Sequence, residues 1–350
     1  MKRMKNNLGR IAAGLLLAGL AWGAVSCAEK KNAPDVQGAL RDLRIGYPTS
    51  GGDWPIGLLG VARDRGYLDE YLGPLGYKAS LHGFVGAAPA IHEALVAKEL
   101  DYVIYAGMAA VLSKSNGIGH TLLSVTNWGS DWKLLVREGA GINSPADLKG
   151  KKVAYTRGAS PHMYLIRVLN EGGLTFNDIE ALNTTLPEGI AGLVSRTIDA
   201  TVVSAGREAE LVANGTAKVI HTGFTANRDV YYEPSVFIGR TEAYQADRDA
   251  AAAIQQALLK AKAWAAEDPD RYFQLLAEKR GDPLSLILET AEYDFDISSP
   301  LNLNVEYIDA LKKIETFLRD NALITGSIDF NSWVDPYAVN RARDEYGREK

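Results

Sequence analysis

From residue 43 onward, short runs rich in β-branched and aromatic residues alternate with helix-length stretches, and this restricts the chain to βα units that feed mostly parallel sheets. Residues 43–47 read as a first strand, and the loop Ser50, Gly51, Gly52, Asp53, Trp54, Pro55 leads to a helix over about 56–65 that Gly66 is placed to end. Residues 78–84 form a second strand, 86–89 a turn and 90–97 a helix; 101–105 form a third strand, closed by Ala106, Gly107 and Met108. Each strand finishes in small or polar residues just before a helix. In open α/β sheets that carboxyl edge is where ligands bind.

A second series follows a crossing strand at 132–136. Ser144 is placed as an N-cap with Pro145 at the first helical position. Residues 152–155 are a short strand, Gly158, Ala159, Ser160, Pro161 and His162 open a helix over 163–171, and Gly172-Gly173 closes it. Strands at 179–182 and 200–203 flank a helix near 190–195. The chain returns through 235–238 to helical stretches at 250–267, 269–279 and 305–321. The length suffices for two lobes, expected at 41–132 with 237–350 and at 133–236 in keeping with the family resemblance given below, and composition predicts a solvated tail at 330–350.

The N-terminus indicates the compartment. Lys2, Arg3, Lys5 and Arg10 precede an uncharged apolar run, 11–25, that is short for a membrane span, so 1–26 reads as a secretory signal peptide. The run ends in Ala24, Val25, Ser26 and Cys27, and Cys27 is the single cysteine of the 350 residues. This segment resembles a bacterial lipobox, although Ala24 stands where such motifs usually carry Leu. It implies acylation of Cys27, with 27–40 as a tether and the lipid as the only membrane attachment. The whole chain carries 38 Lys and Arg against 43 Asp and Glu; without the four basic residues of 1–26 the balance is 34 to 43, a net charge of −9. A nucleic-acid binder shows the opposite balance.

Residues 43–47 (LRIGY), 144–154 (SPADLKGKKVA), 158–160 (GAS) and 171–179 (EGGLTFNDI), in that order, resemble the aliphatic-sulfonate, taurine and nitrate group of transporter-associated binding proteins. They are also similar to binding proteins for thiamine-pyrimidine precursors. The resemblance implies an α/β, type II periplasmic-binding-protein fold, two lobes joined by two crossing segments. It further implies an exported monomer in the cell envelope, on the periplasmic or outer surface side, that hands a small solute to an ABC permease and its ATPase. Aliphatic sulfonate or taurine comes first as solute and nitrate next; a thiamine-type pyrimidine is the alternative.

Gly158, Ala159 and Ser160 are the strongest local candidates for holding it: the helix start offers free N–H groups and a positive dipole end to an anion, and Ser160 either contributes to the site or caps its own helix. His162 follows them. In the facing lobe, Ser50, Gly51, Gly52, Asp53, Gly86, Ala87, Ala106, Gly107 and Met108 fall at strand ends, with Asp53 suited either to a zwitterion's amine or to capping the next helix. Trp54 and Trp128 sit in boundary loops as possible pocket walls. Ser204 and Arg207 follow the 200–203 strand where relatives carry an aromatic residue and a proline; Arg207 and Arg157 are cations able to grip an oxyanion or to stay on the surface.

Catalysis is the competing class, including a pyrimidine-synthase-like enzyme of the same fold. Residues 158–162 lack the final glycine of a nucleophile elbow, and no Walker A or dinucleotide fingerprint occurs. The five histidines lack metal-ligand spacing. The chain is therefore read as a binding protein with no catalytic residue, cofactor or metal.

Overall fold

The structure is a computed structural model that describes residues 39–349 except 50, 51, 56, 130, 131, 224, 225 and 290. The leader, Cys27, Ser50 and Gly51 thus lie outside the described residues. Among those described, ten strands form two five-stranded sheets. In chain order they are β1 (Arg41–Pro48), β2 (Tyr77–Phe84), β3 (Tyr102–Ala106), β4 (His120–Trp128), β5 (Trp132–Arg137), β6 (Lys152–Tyr155), β7 (Glu180–Asn183), β8 (Ala200–Ser204), β9 (Ala217–Thr222) and β10 (Pro234–Arg240).

The strand orders are β2-β1-β3-β10-β4 and β7-β6-β8-β5-β9. In the first sheet β1 is parallel to β2 and β3 while β10 runs antiparallel to β3 and β4; in the second, β6 is parallel to β7 and β8 while β5 runs antiparallel to β8 and β9. The single reversed strand of each sheet is the one that follows a crossing, β4 to β5 on the way out and β9 to β10 on the way back. Trp132 already pairs into the second sheet, and Ser235 into the first.

Both reversed strands are flanked by neighbours and covered on both faces, which is why they read as unbroken apolar runs rather than alternations. Val236, Phe237 and Ile238 are all fully buried, as are Leu134, Leu135 and Val136. The two-residue period still sorts them. Phe237 faces a core with Ile45 and the helix Arg248–Glu267, whereas Val236 and Ile238 face one with Met108, Leu311 and Trp333. Each sheet with its helices makes one lobe.

Three expectations need correction. Residues 330–350 are not a solvated tail: helices Phe330–Trp333 and Tyr337–Glu349 follow, with Ala338, Val339 and Ala342 buried. Small residues close to one another let this helix lie close on Arg248–Glu267, a stripe hidden from composition by the charges around it. Trp333 is fully buried and donates from Nε1 to Nδ1 of buried His120 at 3.1 Å. The turn predicted at 86–89 is the start of helix Ala87–Val96. Strands β4 and β9 went unread, because β4 contains the polar His120, Thr121, Ser124, Thr126 and Asn127.

Candidate functional site

The lobes meet where two helices begin. In the first lobe β3 passes directly into helix Gly107–Ser115, with Ala106 as its N-cap. Gly107 is required there, since a Cβ would stand 2.8 Å from the Pro234 carbonyl oxygen and 2.7 Å from Leu311 Cδ2. In the second lobe β6 reaches helix Ser160–Glu171 through a loop in which Gly158 holds a φ of 75°. A Cβ on Gly158 would lie 3.3 Å from Leu112 of the other lobe. Ala159 and Met163 are buried in the first lobe's apolar cluster, so the lobes are closed on one another at this point.

Between the two helix starts lies Glu233, the last residue before β10, only 2% exposed. Its Oε1 accepts the Met108 N–H at 2.6 Å, and its carboxylate also accepts the Ser160 hydroxyl. Its backbone carbonyl accepts the Gly129 N–H of the outgoing crossing at 3.2 Å. Burial pushes the Glu233 pKa up, against the pull of the Met108 amide, the Ser160 hydroxyl and the positive Arg167. The Arg167 guanidinium makes no hydrogen bond among the described residues, and its Cζ lies 4.8 Å from the Phe317 ring centroid, across the lobe boundary.

Beside this seat a cavity of about 380 Å³ opens between the lobes. Met108, Leu112 and Leu323 line it from the first lobe, and Tyr155, Arg157, Gly158, His162 and Phe176 from the second. The second-lobe wall is aromatic: ring centroids are 4.9 Å apart for Tyr155 and His162, 5.0 Å for Tyr155 and Phe176, and 5.3 Å for His162 and Phe176. Burial, then the charge of Arg157, lowers the His162 pKa to about 4, so its ring is neutral at pH 7 and adds no cation. Arg157 is exposed at the rim and donates from Nε to the Tyr155 hydroxyl at 3.3 Å. The cavity therefore offers an apolar, aromatic slot with one cation at its mouth.

Of the residues singled out in the sequence, Met108, Arg157, Gly158 and His162 line this cavity. Ser160 does not cap its helix: Ala159 is the N-cap, without a side-chain bond, and the Ser160 hydroxyl is engaged by Glu233. Asp53 caps nothing either, because Gly57 is the N-cap of helix Leu58–Asp64; the Asp53 carbonyl accepts from Tyr47 and Arg63. Trp54 is core rather than pocket wall, buried over Gly60 with Nε1 donating to Asp64 at 2.9 Å.

Gly52 is exposed, Gly86 and Ala87 begin the helix after β2, and Trp128 packs on Tyr307 with centroids 5.2 Å apart; none of these lines the cavity. Ser204 and Arg207 form a turn, also outside it, where the lobes touch a second time through Arg280 donating to the Ala205 carbonyl at 2.7 Å. Sequence reasoning missed Glu233, Leu112, Tyr155, Phe176 and Leu323. Tyr155 was recoverable as the last residue of a strand at the carboxyl edge, whereas nothing in the sequence marks Glu233.

This architecture defines a class, the type II periplasmic-binding-protein fold. The alkanesulfonate-binding protein SsuA of Xanthomonas axonopodis pv. citri bound to MOPS superposes with a TM-score of 0.71 at 20% identity, over 84% of this chain and 98% of that one. The desulfurization enzyme DSZB shares the fold at a TM-score of 0.66 and 18% identity, over 87% and 99%. The chain belongs to the NMT1/THI5-like family, whose model matches residues 87–272. A provisionally named aliphatic sulfonates-binding protein of Bacillus subtilis is 23% identical over 96% of both chains. One of the same name from Escherichia coli is 33% identical over 95 residues, 27% of this chain and 30% of that protein.

Among the described residues no helix is long and apolar enough to cross a membrane, and no group of three or more His, Cys, Asp or Glu is placed to hold a metal.

Proposed function

We propose that the chain is the solute-binding component of an ABC importer, exported by its leader, held to the membrane through acylated Cys27, and closing its lobes around a small organic sulfonate. The observation that carries this reading is the cavity itself: it is lined from both lobes at the starts of two helices, so a bridging solute favours the closed state over the open one. Its walls support an organic tail. Tyr155, His162 and Phe176 present ring faces and edges to an alkyl or aryl group, and Arg157 offers a charge-assisted contact to an oxyanion. The names of the sulfonate-binding relatives agree with that chemistry.

The test is thermal unfolding against alkanesulfonates, arylsulfonates, taurine, nitrate and pyrimidines. A solute at a hundred times its dissociation constant adds about 2.7 kcal/mol to stability. Stabilisation by sulfonates supports the reading. Stabilisation by a pyrimidine alone transfers the site to the thiamine-precursor alternative, and turnover of an arylsulfinate would move the chain toward the enzyme class that DSZB represents.

A further inference from the structure

Paired helix starts facing each other across a cleft are a natural seat for an oxyanion, since first-turn amides and two dipole ends converge there. In this chain the seat is filled from within. The Glu233 carboxylate takes the Met108 amide of one lobe and the Ser160 hydroxyl of the other, and its backbone is bonded to Gly129 of the opposite crossing. Arg167 supplies the nearby positive charge. Met108 belongs to both places: its amide binds Glu233 while the residue lines the cavity.

We propose that Glu233 is a specificity-determining residue, a tethered occupant of the oxyanion seat that excludes small inorganic and short carboxylate anions and leaves the site to organic anions carrying an apolar tail. The proposal deepens the sulfonate reading above and rests on it for the identity of the solute. A bare anion such as nitrate has no surface to set against the aromatic wall, and an anion reaching the helix starts finds their donors already held by the buried Glu233 carboxyl group. An organic sulfonate avoids that conflict by placing its charge at Arg157, on the rim, and its tail against Tyr155 and Phe176.

The experiment compares the full chain with Glu233→Ala and Glu233→Gln, using nitrate and formate as probes in thermal-unfolding and calorimetric titrations. Glu233→Ala vacates the seat, and the prediction is saturable nitrate and formate binding at least about tenfold tighter than in the parent, with a matching recovery of melting temperature. Glu233→Gln keeps the seat filled by an amide of the same shape and should gain no such binding. If Glu233→Ala is too unstable to purify alone, expression and refolding with formate present give the same answer: rescue supports the proposal and absence of rescue overturns it. Parent protein that binds nitrate as tightly as Glu233→Ala also overturns it, while leaving the sulfonate reading intact. A gain of nitrate binding in Glu233→Ala with no sulfonate binding by the parent keeps the seat assignment and removes the solute.

Discussion

Lowering the pH from 7 to 5 should destabilise this protein well before its carboxylates are titrated, because it folds around neutral histidines. His120 and His162 are buried and His92 half-buried, and their pKa values are lowered from 6.5 to about 3, about 4 and about 4, in each case chiefly by burial. His120 is further fixed by its partners. Trp333 donates to Nδ1, so Nε2 carries the proton and donates to Ser113 Oγ at 2.8 Å, leaving no acceptor for a second proton on Nδ1.

The sign follows from linkage. A histidine whose folded pKa is depressed contributes stability that is complete above the unfolded pKa and is lost as pH falls toward the folded one, since only the unfolded chain takes up the proton. All three folded values lie below pH 5, so the loss between pH 7 and 5 is set by the unfolded value and comes to about 2 kcal/mol for each histidine, or about 6 kcal/mol for the three. Glu233 carries the opposite sign, because its raised pKa makes the folded state the better proton acceptor. Urea unfolding at half-unit pH steps measures the curve. Stability that is flat or rising between pH 7 and 5 would refute the reasoning.

Three substitutions probe the site and its frame. Arg157→Ala should weaken sulfonate binding about tenfold or more, the worth of a charge-assisted contact, with little change in melting temperature because the residue is exposed; titration calorimetry beside a thermal scan checks both. Gly107→Ala should cost about 1–3 kcal/mol in chemical denaturation, since its Cβ meets the Pro234 carbonyl at 2.8 Å and backbone does not yield cheaply. Lys133→Met leaves the buried Glu208 carboxylate without its ion partner and should cost about 3–5 kcal/mol, while Lys133→Met with Glu208→Leu should recover most of that loss in the same urea assay.

The architecture was legible in sequence where two physical signals coincided. β1, β3, β6 and β8 each join β-branched or aromatic residues to a small or capping residue that starts the next turn, and Ser144 is the N-cap with Pro145 following it, as read. The Gly158 loop was legible for the same reason, as a glycine at positive φ before a proline-bearing helix start. β4 was not, because its polar residues break the apolar pattern, among them His120, whose partners Trp333 and Ser113 lie far away or on another element. Glu233 was hidden for a related reason. Its role arises from two helix starts that only the closed arrangement of the lobes brings together, and no local pattern separates it from a surface acid. Ser160 was left open between the site and its own helix cap, and local sequence could not decide, because its hydroxyl bonds to a residue 73 positions away.

The most direct test of a solute held between the lobes is the histidine ring spectrum of the protein during titration with benzenesulfonate, which five histidines keep simple enough to assign. His162 lies in the cavity wall and His120 in the first lobe's interior against Trp333. The account predicts that the His162 ring signals move to saturation in step with binding while those of His120 stay in place. Saturable binding that leaves His162 unmoved would contradict it.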